Sequence, residues 1–407
     1  MSESNLADPA HAKEAKLPAR DWVLLPLIGL LTVGVLAGSA SLAAKRMFSG
    51  STSVGEDCMV YKDTLSGGGG VPNSVCWEKV TEGGWVQYRF NSSGYRSDTE
   101  FGPKLPGVFR ILIIGSSMDA GARVPIEEAF ATRLPEEISQ RTGQRTEAYN
   151  LALAGDGAHM PFVVRRFDYA LATKPDLILW ALTPWDLAHI APSPPLNRSN
   201  SHLTKPLSWK GMRDHPVKAL EYGVERLQGH FDHTDAQITY MLQHFLYKSQ
   251  SQCIASYLRQ ADNENGYLKS DPSAQWKTDL GEFSDYDAAI EQRVRSAHVP
   301  LVITLAPLRA QAAMISMGTW PPGYDPYKLD DELRAIVVGD GGTYIDILPE
   351  FRSIANPEQH YLPIDGHPDG EGHRILAGML AAKLTGGAVP ALSATRPTQT
   401  SAMQGSR

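Results

Sequence analysis

An unbroken apolar run, Ile111, Leu112, Ile113 and Ile114, ends abruptly in Gly115, Ser116 and Ser117, with Met118, Asp119, Ala120 and Gly121 behind it. A strand covered on both faces reads as a continuous β-branched and leucine run, as in parallel sheets sandwiched between helices. The two glycines permit close turns at the strand's carboxyl end, which is the edge where open α/β sheets bind their ligands. Taken alone, a Ser-Ser pair there is a helix cap. Its meaning depends on the other end of the chain.

Some 250 residues later come Asp365, Gly366, His367, Pro368 and Asp369, ahead of a helical pattern over 374–384. In an extended segment, positions two apart point to the same side, so Asp365 and His367 are expected to face one site. A serine hydroxyl is a weak nucleophile near neutral pH and needs a base, best held in one tautomer by a carboxylate. Asp369 reads as the cap of the following helix and His373 as an ordinary helix residue.

With these blocks in view the chain resembles the SGNH/GDSL hydrolases, serine esterases and acyltransferases on a flavodoxin-like sheet, over roughly residues 91–384. The resemblance implies a three-layer α/β/α fold with a parallel sheet. It makes Ser117 the nucleophile, His367 the base and Asp365 the group that orients it, with Ser116 in the place of the family's aspartate. The second block, Asn150 through Gly155, Asp156 and Gly157, implies that Gly155 and Ser117 offer backbone N–H groups to an oxyanion. The Asp-x-His spacing is similar to that of the alginate O-acetyltransferase branch. Asn91, Gly94, Tyr95 and Arg96 match an element that precedes the first block in membrane-anchored members, and by default it reads as a turn.

The third block departs from the pattern. After the strand at 176–182 come Thr183, Pro184, Trp185 and Asp186, so Trp185 stands where the family's oxyanion asparagine belongs. An indole has a single donor on a bulky ring and replaces an amide only in a rebuilt pocket. Losing one oxyanion donor costs about 10²–10³ in turnover. Trp185, Asp186 and Ser116 are candidate substrate contacts. Two readings follow: an esterase or O-acetyltransferase acting on acyl esters of a cell-envelope glycan or similar substrate, or a catalytically degenerate scaffold that kept the fold.

Residues 22–44 carry no charge, with Lys13, Lys16 and Arg20 before them and Lys45 and Arg46 after. That length crosses a bilayer once. The small residues at 39–44 also resemble a signal-peptide cleavage region. The reading favoured is an uncleaved anchor with the globular part outside the cytoplasm, in the periplasm. A transferase drawing acyl groups from the cytoplasm would need a multi-spanning partner, since one helix cannot carry a donor across.

A formal net charge of −7 without a run of Lys or Arg argues against a nucleic-acid partner. Cys58, Cys76 and Cys253 lack metal-ligand spacing. No metal or organic cofactor is expected. Cys58 and Cys76 flank a Gly-rich loop and are either a disulfide or two free thiols. His230, His233 and His244 lack the ordered acidic partner of a zinc helix.

The expected organisation is a cytoplasmic tail at 1–20, an anchor at 21–44, and a Gly-rich linker with a small β-type lead-in at 45–105. The hydrolase-like domain follows at 106–385, with a helical insertion at about 192–280 and a disordered tail at 386–407. Strands are predicted at 109–114, 145–151, 176–182, 300–305 and 343–347. Helices are predicted at about 126–142, 160–173, 284–297 and 330–338, an alternation that implies a parallel sheet.

Overall fold

The structure, a computed structural model, describes residues 18, 20–48, 58–60, 68–79, 82–154, 159–188, 244–245, 249–260 and 265–393. The chain divides into two compact units. In the first, the described residues form helix α1 (Asp21–Phe48). Its apolar window Asp21–Ala43 has a mean hydropathy of 2.2 and none of it is buried.

The second unit opens with two small antiparallel ribbons. Strand β1 (Met59–Val60) pairs with β2 (Gly69–Gly70), and β3 (Val75–Lys79) pairs with β4 (Trp85–Arg89) with Cys76 opposite Tyr88. Cys58 and Cys76 are joined by a disulfide with their Cα atoms 5.9 Å apart. Of the two readings of these cysteines, the bridged one holds here.

The main sheet contains β5 (Phe109–Ile114), β6 (Thr146–Asn150), β7 (Leu177–Leu182), β8 (Leu301–Leu305) and β9 (Thr343–Ile345), in the order β6-β5-β7-β8-β9. Every pairing is parallel. Numbered within the sheet this is 2-1-3-4-5, the flavodoxin-like order, whose topological switch lies between its first and third strands, here β5 and β7. Both are buried at every position, as their uninterrupted apolar sequences require.

Between the strands run α2 (Phe130–Thr142), α3 (Met160–Ala172), the short α4 (Pro184–Ala188), α5 (Gln250–Tyr257), α6 (Ala274–Ser296), α7 (Arg309–Met317), α8 (Lys328–Gly339) and α9 (Gly370–Lys383). Helix α9 packs on α2, and α6 on α3. Trp180 of β7 is core, wedged between Phe167 of α3 and Phe283 of α6.

Three features differ from the sequence reading. Helix α6 begins at Ala274, not near 284, because Trp276, Leu280 and Phe283 continue one buried stripe. Helix α7 was not foreseen: it is buried from Arg309 to Ile315, so no polar face marks its period. Residues 386–393, expected to belong to a disordered tail, are ordered against the core instead, with Val389 and Leu392 buried. Most of the expected insertion at 192–280, and residues 394–407, lie outside the described residues.

Candidate active site

Ser117 follows β5 and Trp185 follows β7, so both stand at the carboxyl edge of the sheet, at the switch between those strands. Gly115 makes the exit from β5 feasible. A Cβ there would collide with the carboxylate of Asp119 and lie 2.8 Å from the Ala181 carbonyl oxygen. Asp119 occupies that space to accept the Ser116 N–H at 2.9 Å, which closes the turn that presents Ser117. Asn150, at the end of β6, donates its amide to the Asp119 carbonyl at 2.8 Å. Among the described residues the backbone N–H of Ser117 donates to no acceptor, as suits an oxyanion donor.

Opposite the serine, His367 Nε2 lies 2.8 Å from Ser117 Oγ, and His367 Nδ1 lies 2.5 Å from Asp365 Oδ1. The ring therefore donates from Nδ1 to the carboxylate and keeps Nε2 free to accept the hydroxyl proton. The segment is not extended, as the sequence reading supposed. The Gly366 N–H bonds the Leu362 carbonyl at 2.9 Å and the Leu362 N–H bonds the His367 carbonyl at 2.8 Å, a tight loop with Gly366 at φ 82°. Glycine is needed there on two counts: the left-handed backbone, and a Cβ that would sit 3.1 Å from Trp185 Cη2. The loop folds Asp365 back so that it serves the His367 ring.

Asp365 has a second partner. Arg123 Nε donates to its Oδ2 at 3.1 Å, and Arg123 is itself held by an ion pair with Glu78 of β3 and by the Tyr88 hydroxyl, which accepts its backbone N–H at 3.0 Å. Burial alone would raise the Asp365 carboxyl, but the hydrogen bond and charge of His367, with Arg123 beside it, outweigh that and leave it below the ordinary carboxylate value. Glu82, whose side chain is 1% exposed, accepts the backbone N–H groups of Ile364 and Asp365 at 2.8 and 2.9 Å. His244 Nδ1 meets its other oxygen at 3.0 Å. The small β lead-in thus reaches the acid-bearing loop through Glu78, Glu82 and Tyr88.

The element around Asn91 is also more than a turn. Asn91 Oδ1 accepts the N–H groups of Ser93 and Tyr95, and Arg96 runs inward beneath the serine turn. Its guanidinium donates to the carbonyls of Ala120, Gly121 and Val124 and stacks 4.2 Å over Tyr88. Arg123, Glu78 and Glu82 give no signal in the sequence, and Arg96 reads there only as part of a turn, because each acts through a partner distant along the chain.

Two candidate substrate contacts are corrected. Ser116 and Asp186 are buried, because the serine turn and the start of α4 fold over them. Asp186 Oδ2 accepts both the N–H and the hydroxyl of Thr183, at 2.6 and 2.8 Å, and so caps its own helix. Burial raises its carboxyl to about 6 against those hydrogen bonds, and burial with the Asp186 charge holds Asp119 well above the usual range.

Trp185 is partly exposed, its ring centroid 5.7 Å from that of His367. It walls a cleft of about 510 Å³ together with Tyr257, Gln260, Arg309, Ile364 and Asp365. Gly155 lies outside the described residues. Among the described residues no group of three or more His, Cys, Asp or Glu side chains is arranged to hold a metal ion.

No protein-family model and no curated protein matches the chain. Among solved structures, a lipase/acylhydrolase from Enterococcus faecalis is similar, with a TM-score of 0.37 and 11% identity, covering 68% of this chain and 96% of that one. A variant of an acetyl-xylooligosaccharide esterase from Geobacillus aligns with a TM-score of 0.37 and 12% identity, over 70% and 96% of the two chains. A psychrotrophic esterase from Pseudoalteromonas aligns with a TM-score of 0.35 and 12% identity, over 68% and 97%. These likenesses are distant, and the fold assignment rests on the strand order of the chain itself.

Proposed function

We propose that this protein is a membrane-anchored serine esterase or O-acyltransferase of the SGNH type, acting through an acyl ester on Ser117. The observation that carries the reading is the unbroken hydrogen-bonded series Ser117 Oγ, His367 Nε2, His367 Nδ1 and Asp365 Oδ1 at the switch point of the sheet. His367 takes the hydroxyl proton as Ser117 Oγ attacks the acyl carbonyl. The tetrahedral oxyanion is held by the N–H groups of Ser117 and Gly155, and the imidazolium by Asp365. The proton then passes to the leaving alcohol as its bond to the acyl carbon breaks. Water or a second alcohol, deprotonated by the same imidazole, releases the acyl group.

An acetylated glycan is the proposed substrate. The cleft beside Asp365 offers the aromatic walls Trp185 and Tyr257 with the amide of Gln260, a combination suited to stacking and hydrogen-bonding a sugar ring. The apolar helix α1 supports anchoring, with the catalytic unit placed outside the cytoplasm.

The test is hydrolysis of an aryl acetate and of an acetylated oligosaccharide by the wild-type protein and by Ser117→Ala. Loss of at least a thousandfold in kcat with an unchanged circular-dichroism spectrum is the expected result. Equal rates in the two proteins would leave the non-catalytic scaffold as the better reading.

A further inference from the structure

The β3–β4 ribbon carries an apolar face that the proposed chemistry does not use. Alternation along β3 and the register with β4 put Val75, Trp77 and Lys79 on the same side as Trp85, Gln87 and Arg89. Val75, Trp77 and Trp85 are 48, 45 and 51% exposed. The opposite side bears buried Cys76 and Val86, together with Glu78, which grips Arg123. Trp77 and Trp85 are diagonal neighbours, about 7–8 Å apart along the ribbon. Neither indole touches another ring among the described residues.

Lys79 stands opposite Trp85, and Arg89 stands opposite Val75 at the other end. Two indoles bracketed by long cationic side chains are the composition of a membrane–water interface. The chain itself sets how far this face can stray from a bilayer. Helix α1 ends at Phe48, and Cys58 follows ten residues later. Ten residues reach at most about 36 Å when fully extended. At Cys58 the disulfide fixes the chain to Cys76, the residue directly before Trp77.

We propose that the Val75, Trp77 and Trp85 face is a second membrane contact, seated among lipid headgroups, that complements α1 and fixes how the catalytic unit faces the bilayer. The proposal rests on the reading of α1 as an uncleaved anchor. The short covalent leash singles out lipid as the occupant, because it holds the face at high effective concentration beside the membrane, where even a weak contact is populated.

The experiment uses the full chain reconstituted in phosphatidylcholine/phosphatidylglycerol vesicles, with and without bromine on the lipid acyl chains. Tryptophan emission of the wild type minus that of Trp77→Phe/Trp85→Phe isolates the two indoles, and phenylalanine preserves the strand packing. The expected result is a difference emission quenched at least twofold by brominated lipid and shielded from aqueous acrylamide. A difference emission untouched by brominated lipid overturns the proposal. In that case quenching by acrylamide would mark an open surface, shielding from acrylamide a covering by protein, and a spectral change with a soluble xylo-oligosaccharide a glycan platform. Retention of the chain in vesicles through a carbonate wash reads the anchor separately. Release by carbonate after lipid quenching has been seen would remove the anchor reading and leave the surface contact standing.

Discussion

At the scale of single residues, the groups nearest the serine are held by charges that a sequence scan does not connect. Arg123 shares the Asp365 carboxylate with His367. Removing its positive charge takes away one of the influences that hold the Asp365 carboxyl below its ordinary value, so in Arg123→Ala the loss of kcat/KM on acidification is expected to begin at higher pH. Turnover at neutral pH should fall about tenfold as the carboxylate loses one of its two anchors. A profile superimposable on wild type would show that Arg123 serves the loop structure alone. Trp185 replaces an expected asparagine, yet its ring lies against Gly366 and close to His367. Trp185→Asn is therefore expected to lower kcat by roughly tenfold through a loosened histidine loop. A rise would show that an unfilled oxyanion position limits the enzyme, and steady-state kinetics on an aryl acetate distinguishes the two.

At the scale of elements, the lead-in ribbon supports the loop that carries Asp365 and His367. Its Glu78 and Glu82 reach across the unit to Arg123 and to the N–H groups of Ile364 and Asp365. Opening the Cys58–Cys76 bridge, which spans 18 positions, removes a constraint on the unfolded chain worth about 3 kcal/mol in a loop-entropy account. Cys58→Ser/Cys76→Ser is expected to lose stability of that order in urea unfolding and to lose activity with it; full activity at unchanged stability would detach the ribbon from the site. Helices α2 and α9 are coupled by His373, whose Nδ1 accepts the Phe130 N–H at 3.3 Å. Burial pushes the His373 imidazole down to about 3 from 6.5, with the charges of His367, Arg96 and Arg133 in the same direction. The folded state binds fewer protons than the unfolded one below pH 6.5, so stability falls as pH drops from 6.5 towards 3, by roughly 4–5 kcal/mol from this group. His373→Gln should flatten that part of the stability profile, as denaturant melts at pH 4 and 7 would report.

At the scale of the whole molecule, the parallel sheet was legible because β5 and β7 are continuous apolar strands and their crossovers have helical period. The serine, aspartate and histidine were legible as motifs because each follows a recognisable break in that pattern. Gly366 hid the true shape of the last block, since alternation assumes an extended backbone and the chain there adopts a left-handed turn. The roles of Arg96, Glu82 and His373 were illegible for a different reason: a buried charge or ring takes its meaning from partners that only folding brings near. The claim on which the functional account stands is that Ser117 is an activated nucleophile. Intact-mass and peptide mapping after exposure to a fluorophosphonate tests it most directly. One adduct on the Ser117 peptide, abolished in His367→Ala, is expected; no adduct on Ser117 in the folded wild-type protein would contradict it.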